Sequence, residues 1–169
     1  MIKTRRLMIR PWELSDAMGL HLAMNFRAVT RMTAAAPYPY LLSDAKAWII
    51  RCRRWARRRP VEHLHLAIVH DDKVVGAIGA DRDGEQAEIG YWLTPALHGQ
   101  GMMTEAVEAF TTWLLRGWKV QRLIARSFLF NPASARVLLK CGFTKTALEK
   151  RSIQKNGKWL DAIVFTRYR

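Results

Sequence analysis

The stretch Glu88-Ile89-Gly90-Tyr91-Trp92-Leu93-Thr94-Pro95-Ala96-Leu97-His98-Gly99-Gln100-Gly101-Met102-Met103-Thr104-Glu105-Ala106 joins two different periodicities. Ala87 to Leu93 reads as a strand, whose side chains alternate between the two faces of a sheet. From Met103 the period changes: Met103, Ala106, Val107, Phe110, Trp113 and Leu114 recur at helical spacing, and a helix is expected to run to about Gly117. The two are joined by a glycine-bearing loop that opens a helix. Free backbone N–H groups and the helix dipole make such a place an anion site, and glycine lets backbone approach a phosphate closely. The pattern fits a pyrophosphate, and by itself it fits a plain tight turn as well. It is not a Walker loop, because the Gly-Lys-Ser/Thr ending is missing. Nor is it a full Rossmann fingerprint, and its strand lies late in the chain.

Downstream, Arg122 to Ser127 reads as a strand, so Ala87 to Ser127 forms a strand–helix–strand unit with parallel strands. Asn131 can cap a helix from Pro132 to Lys140, with Gly142 at its left-handed exit. The end reads as a hairpin, Leu148 to Gln154 and Trp159 to Tyr168, turning at Asn156-Gly157. Upstream, His65 to Val69 and Val74 to Ala80 are joined by Asp71-Asp72-Lys73, and Asp81 to Gly84 turns into Ala87. These connections are too short for a crossover, so the three strands are antiparallel neighbours. Leu7 to Trp12 is a first strand and Leu14 to Asn25 a helix. A second helix follows, with Ser43 as its expected N-cap and Asp44 near its positive end. Trp48, Ile49, Cys52, Trp55 and Ala56 form its apolar stripe, and Pro60 closes it. The expected class is α/β: a mixed sheet flanked by helices.

At 169 residues the chain suits one domain with a proper core, and with half its residues hydrophobic it is not a disordered sequence. No apolar run approaches the roughly 20 residues of a membrane span, so no membrane partner is expected. Cys52 and Cys141 have neither metal-ligand spacing nor a disulfide framework, which fits a reducing cytoplasm. His63, His65, His70 and His98 also lack metal spacing, and no metal is expected. Cys141 beside Gly142 reads as a buried, inert thiol. The formal net charge of +14 favours anionic partners. Lys46, Arg51, Arg53, Arg54, Arg57, Arg58 and Arg59 concentrate it in one run, either a solvated helix face or a contact for RNA.

Three separated motifs give the chain a wider resemblance. Arg6-Leu7-Met8-Ile9-Arg10-Pro11-Trp12, Ile89-Gly90-Tyr91-Trp92-Leu93, and Asn131-Pro132-Ala133-Ser134-Ala135-Arg136-Val137-Leu138-Leu139-Lys140-Cys141-Gly142-Phe143 stand in the order found in the GNAT superfamily of N-acetyltransferases. The chain resembles its RimJ/RimL-like, ribosomal-protein N-acetyltransferase branch in particular, over nearly its whole length. The resemblance implies a mostly antiparallel sheet splayed between its fourth and fifth strands, with acetyl-coenzyme A in the cleft. The family's phosphate loop maps onto His98-x-x-Gly101-x-Met103. The backbone amides of His98, Gly99, Gln100, Gly101, Met102, Met103 and Thr104 would then hold the pyrophosphate. The backbone of Leu93 would pair with the pantetheine arm, and Asn131 would face the cofactor. Two departures stand out. His98 replaces the usual Gln or Arg, and Met103 replaces a small residue, so its bulk must enter the core or crowd the phosphate.

Strand alternation beside that cleft makes Glu88 a catalytic candidate, and the resemblance implies a role for Ser134. Glu88, on the strand face of Gly90 and Trp92, would take a proton from the acceptor amine, directly or through water; the alternative is a hairpin-surface glutamate. Ser134 would protonate the departing thiolate, or is an ordinary first-turn serine. Tyr91 lies on the opposite face and reads as core. The expected reaction is direct attack of an amine on the thioester without an acyl-enzyme. A protein N-terminal α-amine, ribosomal in the branch resembled, is the expected acceptor. Its reference pKa near 7.8 against about 10.4 for lysine makes the neutral nucleophile about 3.5 kcal/mol cheaper to reach. The alternatives are a small-molecule amine or antibiotic acetyltransferase, and a catalytically inactive nucleic-acid- or ribosome-binding module. Acceptor pockets of the family are built from the region matching Ala28 to Tyr40. A monomer and a homodimer both fit the sequence.

Overall fold

In the computed structural model, which describes residues 1–169, eight strands form one sheet in the order β1-β2-β3-β4-β5-β6-β8-β7. The strands are β1 (Ile2–Lys3), β2 (Met8–Arg10), β3 (His63–His70), β4 (Lys73–Asp83), β5 (Gln86–Leu93), β6 (Arg122–Phe128), β7 (Thr144–Lys155) and β8 (Lys158–Tyr168). The helices are α1 (Ala17–Met24), α2 (Arg27–Thr30), α3 (Leu42–Trp55), α4 (Met102–Gly117) and α5 (Pro132–Lys140). Every neighbouring pair is antiparallel except β5 and β6. That parallel pair is the crossover through α4 that the strand–helix–strand pattern requires. It holds only where Gln86–Glu88 meets Arg122–Ile124. Beyond that point β5 continues along β4 to Leu93 while β6 follows β8 as far as Phe128, so the sheet opens into a cleft. The mixed GNAT-type sheet expected from the sequence is the one observed, with the splay between the strands read there as fourth and fifth.

Alternation along β5 assigns the two faces. Ala87, Ile89 and Leu93 belong to the larger core, with Phe110 and Leu114 of α4, Leu138 of α5, Leu123 and Phe165. On the opposite face Trp92 packs against a second core made by Trp12, Leu20, Val29, Ile49 and Cys52 beneath α1 to α3. Each fully buried Phe, Leu or Ile contributes roughly 1.5–3 kcal/mol, so these two layers hold the halves of the sheet on either side of the splay.

Several local expectations need correction. The opening strand is preceded by β1, which two residues paired with β2 suffice to form. The first helix does not start at Leu14. Asp16 instead pairs with Arg10 through two 2.8 Å hydrogen bonds and accepts the Glu13 N–H at 2.8 Å, which holds Leu14–Asp16 as a tight 3-10 turn ahead of α1. Ser43 is not the N-cap of α3. The chain is extended at Leu41, and Asp44 reaches back to accept the Leu41 N–H at 2.8 Å, so the cap is Leu41 and the helix begins one residue earlier than Ser43. That helix stops at Trp55, ahead of Pro60. In the final hairpin Asn156 (φ 49°) and Gly157 (φ 74°) both take left-handed geometry, the type I′ turn that Asn-Gly favours. Its first strand carries a bulge, because Glu149 and Ile153 pair with Ala162 and Leu160. The two extra residues leave the ladder locally unpaired and bend the strand.

Candidate active site

The loop after β5 is built to present backbone donors. A 3-10 turn at Pro95–Leu97 breaks the strand, and Gly99 (φ 77°) and Gly101 (φ 75°) adopt left-handed conformations that L side chains resist. The N–H groups from Gly99 through Thr104 have no acceptor within the protein. Six such donors in a row, at the positive end of a four-turn helix and with open space around Gly99, form a cradle of the kind that receives a phosphate group. Met103 does not crowd it: the side chain is 9% exposed and belongs to the larger core, beside Met102.

Side chains brace this loop from both ends. His98 donates through Nε2 to the Leu93 carbonyl at 2.9 Å, so its ring staples the loop to the end of β5. Gln100 turns its amide back to the Ala96 carbonyl at 3.0 Å and gives its own carbonyl to Arg6 at 3.0 Å; its side chain does not line the cleft. Arg6 also binds Glu105 on α4 through its backbone N–H (2.8 Å) and Nε (2.7 Å), and Thr4 adds a 2.7 Å bond. Burial works to raise the Glu105 pKa, but these hydrogen bonds and the Arg6 charge outweigh it and hold the carboxyl at about 2. The N-terminal segment is thereby tied to the first turn of α4, a brace that nothing in the sequence pattern announced.

From this loop a cleft of about 900 Å³ runs down the splay to Glu88. Thr94 donates to Val75 at 2.7 Å, which fixes the alternation of the β4–β5 ladder and turns the N–H and C=O of Tyr91 and Leu93 away from β4, toward the opening. The Leu93 carbonyl is already taken by His98, which leaves its N–H for a ligand in the cleft. Glu88, Leu93, His98, Gly99, Gly101, Met102, Met103, Thr104, Asn131 and Ser134 all border this one cavity, so the expected site residues converge, Gln100 apart.

Two roles are sharper than the sequence indicated. Asn131 caps α5 by accepting the Ser134 N–H on Oδ1 at 3.1 Å, which fixes the start of that helix at the cleft wall. The Ser134 hydroxyl is not spent on the helix backbone. It meets the Tyr91 hydroxyl at 3.0 Å, a contact in which either oxygen can donate, and the tyrosine hydroxyl also lies 3.2 Å from the Ser134 carbonyl. Tyr91 is thus not simply core. Its ring packs on the larger core, its hydroxyl reaches the cleft, and burial raises its pKa well above the ordinary phenol value.

At the other end, Glu88 is not isolated. Arg126 of β6 contacts its carboxylate and binds Glu149 of β7 at 2.8 Å and 3.3 Å. Burial raises the Glu88 pKa, opposed by Arg126 and assisted by Asp81 and Glu149. Two carboxylates thus share one guanidinium, so this three-residue group has one more acidic than basic side chain. Neither Arg126 nor Glu149 was singled out from the sequence. The wall above them is the Ala28–Ala34 segment, held by a bond from Lys155 Nζ to the Thr33 carbonyl (2.6 Å) and by Arg31 over the Phe130 ring (5.3 Å). No group of three or more His, Cys, Asp or Glu side chains is placed to hold a metal, and no helix is long and apolar enough to cross a membrane.

This geometry has a clear set of relatives. Residues 6–144 match the family described as acetyltransferase (GNAT) domain. The chain is 28% identical to the probable N-acetyltransferase YjcK of Bacillus subtilis, over 95% of this chain and 93% of that protein. It is also 28% identical to the ribosomal-protein-serine acetyltransferase of Escherichia coli, over 78% of this chain and 85% of that one. Among solved structures, the microcin C7 self-immunity acetyltransferase MccE, in complex with acetyl-CoA and AMP, superposes with a TM-score of 0.88 at 21% identity, over 98% of this chain and 94% of that one. RimL, the ribosomal L7/L12 α-N-protein acetyltransferase with coenzyme A, superposes with a TM-score of 0.86 at 21% identity, over 98% and 95%. The match to the family spans most of the chain, including β5, the amide loop and α5, and on that ground this protein is a member of the GNAT acetyltransferase family.

Proposed function

We propose that this protein is an acetyl-coenzyme A-dependent N-acetyltransferase of the RimJ/RimL-like branch, acting on a protein N-terminal α-amine. The observation that carries the reading is a single cleft with six free amides at one end and a carboxylate-rich pocket at the other. The residues fit the cosubstrate. The left-handed glycines and Gly99–Thr104 amides suit a pyrophosphate, and the Leu93 N–H suits the amide of an extended arm. Acetyl-coenzyme A would supply the acetyl group as a thioester. Backbone N–H groups of β5 in the splay would polarise its carbonyl. Glu88, made more basic by burial, takes the proton lost by the amine as the new C–N bond forms. Ser134 gives its proton to the sulfur as the C–S bond breaks and regains one from the Tyr91 hydroxyl 3.0 Å away, which solvent in the cleft reprotonates. The net negative charge of the Glu88–Arg126–Glu149 group favours an ammonium-bearing acceptor entering beneath Ala28–Ala34.

A ribosomal acceptor is the finer part of the proposal, and it draws on the activities named for the relatives above. It agrees with the face of α3 and the turns after it, where Arg54, Arg57 and Arg58 are exposed and pair with no carboxylate. We read this face as a contact for RNA phosphates beside the acceptor, in a cytoplasmic enzyme that works as a monomer or homodimer. Coenzyme A release against N-terminal peptides, polyamines and aminoglycosides tests the reading. Preferential turnover of peptide N-termini supports it, preferential turnover of small amines moves the acceptor to that class, and tight acetyl-coenzyme A binding without turnover marks an inactive binding module.

A further inference from the structure

A second polar cluster adjoins Glu88 on the α1–α3 face of the sheet. Asp81 of β4 stands directly opposite Glu88 in the antiparallel register, so the two carboxylates share a face with Cβ atoms about 5 Å apart. On its other side Asp81 is opposite His63 of β3. Asp81 Oδ1 accepts from His63 Nδ1 at 2.7 Å and from His65 Nε2 at 3.0 Å. In the neutral ring this places the His65 proton on Nε2 and leaves Nδ1 as an acceptor. That Nδ1 lies over Gly79, where an added Cβ would meet it at 2.2 Å; only glycine lets the ring reach Asp81. Gly79 pairs with Gly90, which borders the cleft and has open space where its Cβ would be. Two side-by-side glycines thus leave a trough on the sheet surface from the cleft to His65 Nδ1.

The cluster is held from above by α3. Trp55 packs on both imidazoles at 5.0 Å and 5.4 Å, and Trp48 meets His65 edge-on at 5.2 Å. The charged and titratable groups facing it are Arg51, over both tryptophans, and the Cys52 thiol, kept protonated by burial, from α3. From the sheet they are Glu88 of β5 and, through it, Arg126 of β6 and Glu149 of β7.

We propose that His65, held by Asp81 and assisted by His63, is a relay residue that accepts the acceptor's proton from Glu88 and passes it to solvent. The inference rests on the acetyltransferase reading with Glu88 as base. The amine N–H bond breaks as Glu88 takes the proton. Water in the glycine trough carries it on, and an N–H bond forms at His65 Nδ1. The Asp81 carboxylate balances the imidazolium until the proton leaves through the solvent-exposed Asp81–His63 edge. Glu88 is then an anion again, ready for the next amine. Imidazole is the side chain suited to such exchange near neutrality.

The test compares wild type, His65→Gln, Gly79→Ala and Glu88→Gln with a peptide acceptor, as pH–rate profiles at low and high imidazole. His65→Gln keeps a donor for Asp81 but cannot titrate. It should bind acetyl-coenzyme A and melt as wild type does, yet lose about tenfold in kcat near neutral pH, less than the ~10²–10⁴-fold of a lost direct transfer. Added imidazole should restore it and leave wild type unchanged. Gly79→Ala, which pushes the ring off Asp81 with every titratable group still present, should reproduce the loss. Wild-type kcat in His65→Gln, or a loss that imidazole does not rescue, overturns the relay and leaves the acetyltransferase reading intact. Unaltered turnover in Glu88→Gln removes the base and the relay with it. A wild type that acetylates no amine in the panel overturns both.

Discussion

Met103→Ala separates two physical roles for the residue that most departs from the family's phosphate loop. The side chain is 9% exposed and packs in the larger core with α4, β5 and α5. Truncating a buried methionine to alanine costs about 2–5 kcal/mol, the spread reflecting how well the site can refill. Met103 also borders the cleft, where water can occupy part of the vacated space, so about 2–3 kcal/mol is expected. In a domain of this size each kcal/mol moves Tm by about 2–4 °C, which predicts a fall of about 4–12 °C. The loop amides belong to the backbone and keep their geometry, so acetyl-coenzyme A affinity should stay within about twofold, a change under ~0.5 kcal/mol. Melting curves and calorimetric titration of the same preparations measure both quantities. An unchanged Tm together with tighter acetyl-coenzyme A binding would show that the methionine occupies the phosphate site, and the core assignment would be wrong.

Gly101→Val forces a β-branched residue into left-handed geometry at φ 75°, a cost of about 1–2 kcal/mol, so acetyl-coenzyme A should bind about tenfold more weakly; equal affinity by calorimetry would remove the loop from the site. Glu105 has a folded pKa of about 2, below its ordinary 4.5, so its stabilisation is complete above the unfolded value and fades as pH falls from about 4.5 toward 2. Glu105→Gln should therefore lower Tm at neutral pH and flatten its decline across that acid window; an acid profile parallel to wild type counts against the Arg6–Glu105 brace. Glu88→Gln should lower turnover about 10²–10⁴-fold below the acceptor's own pKa and recover as pH rises, while Ser134→Ala should lose turnover without such rescue. The helix cap uses the Ser134 backbone N–H, so Ser134→Ala should melt as wild type does, and a large loss of Tm would return the hydroxyl to a structural role. Replacing Arg54, Arg57 and Arg58 with glutamine should reduce the slope of log K against log salt for single-stranded RNA by about 2, with free-peptide turnover intact; a wild type without salt-dependent binding leaves a solvated face.

What the sequence made legible was local chemistry. Gly142, Asn131-Pro132 and Asn156-Gly157 each declare a backbone conformation within a few residues, and all three places are as expected. The parallel pair was legible because a strand–helix–strand unit demands one among antiparallel neighbours, while the splay at that pair followed from the family resemblance. The group around Glu88 was not, since Glu149 meets Arg126 only because β8 inserts between β6 and β7 in the sheet and the β7 register shifts at that point. Tyr91 shows the limit of alternation: its face was correct, but period two says nothing of where α5 begins, and that is what brings Ser134 to its hydroxyl. Ser43 shows the limit of cap composition, because Asp44 one residue later captured the Leu41 N–H instead.

The brace between the start of the chain and the first turn of α4 has a kinetic consequence. Glu105 lies 101 residues after Thr4 and 99 after Arg6, so neither can bind it until β1 to β5 have been made. Contacts of such long sequence separation are costly to close early and are expected to form after the folding barrier. Changes at Thr4 or Arg6 should then leave the refolding rate nearly unchanged and act on the unfolding rate. The amide cradle would loosen first as the protein opens, so bound acetyl-coenzyme A should slow unfolding more than it speeds folding.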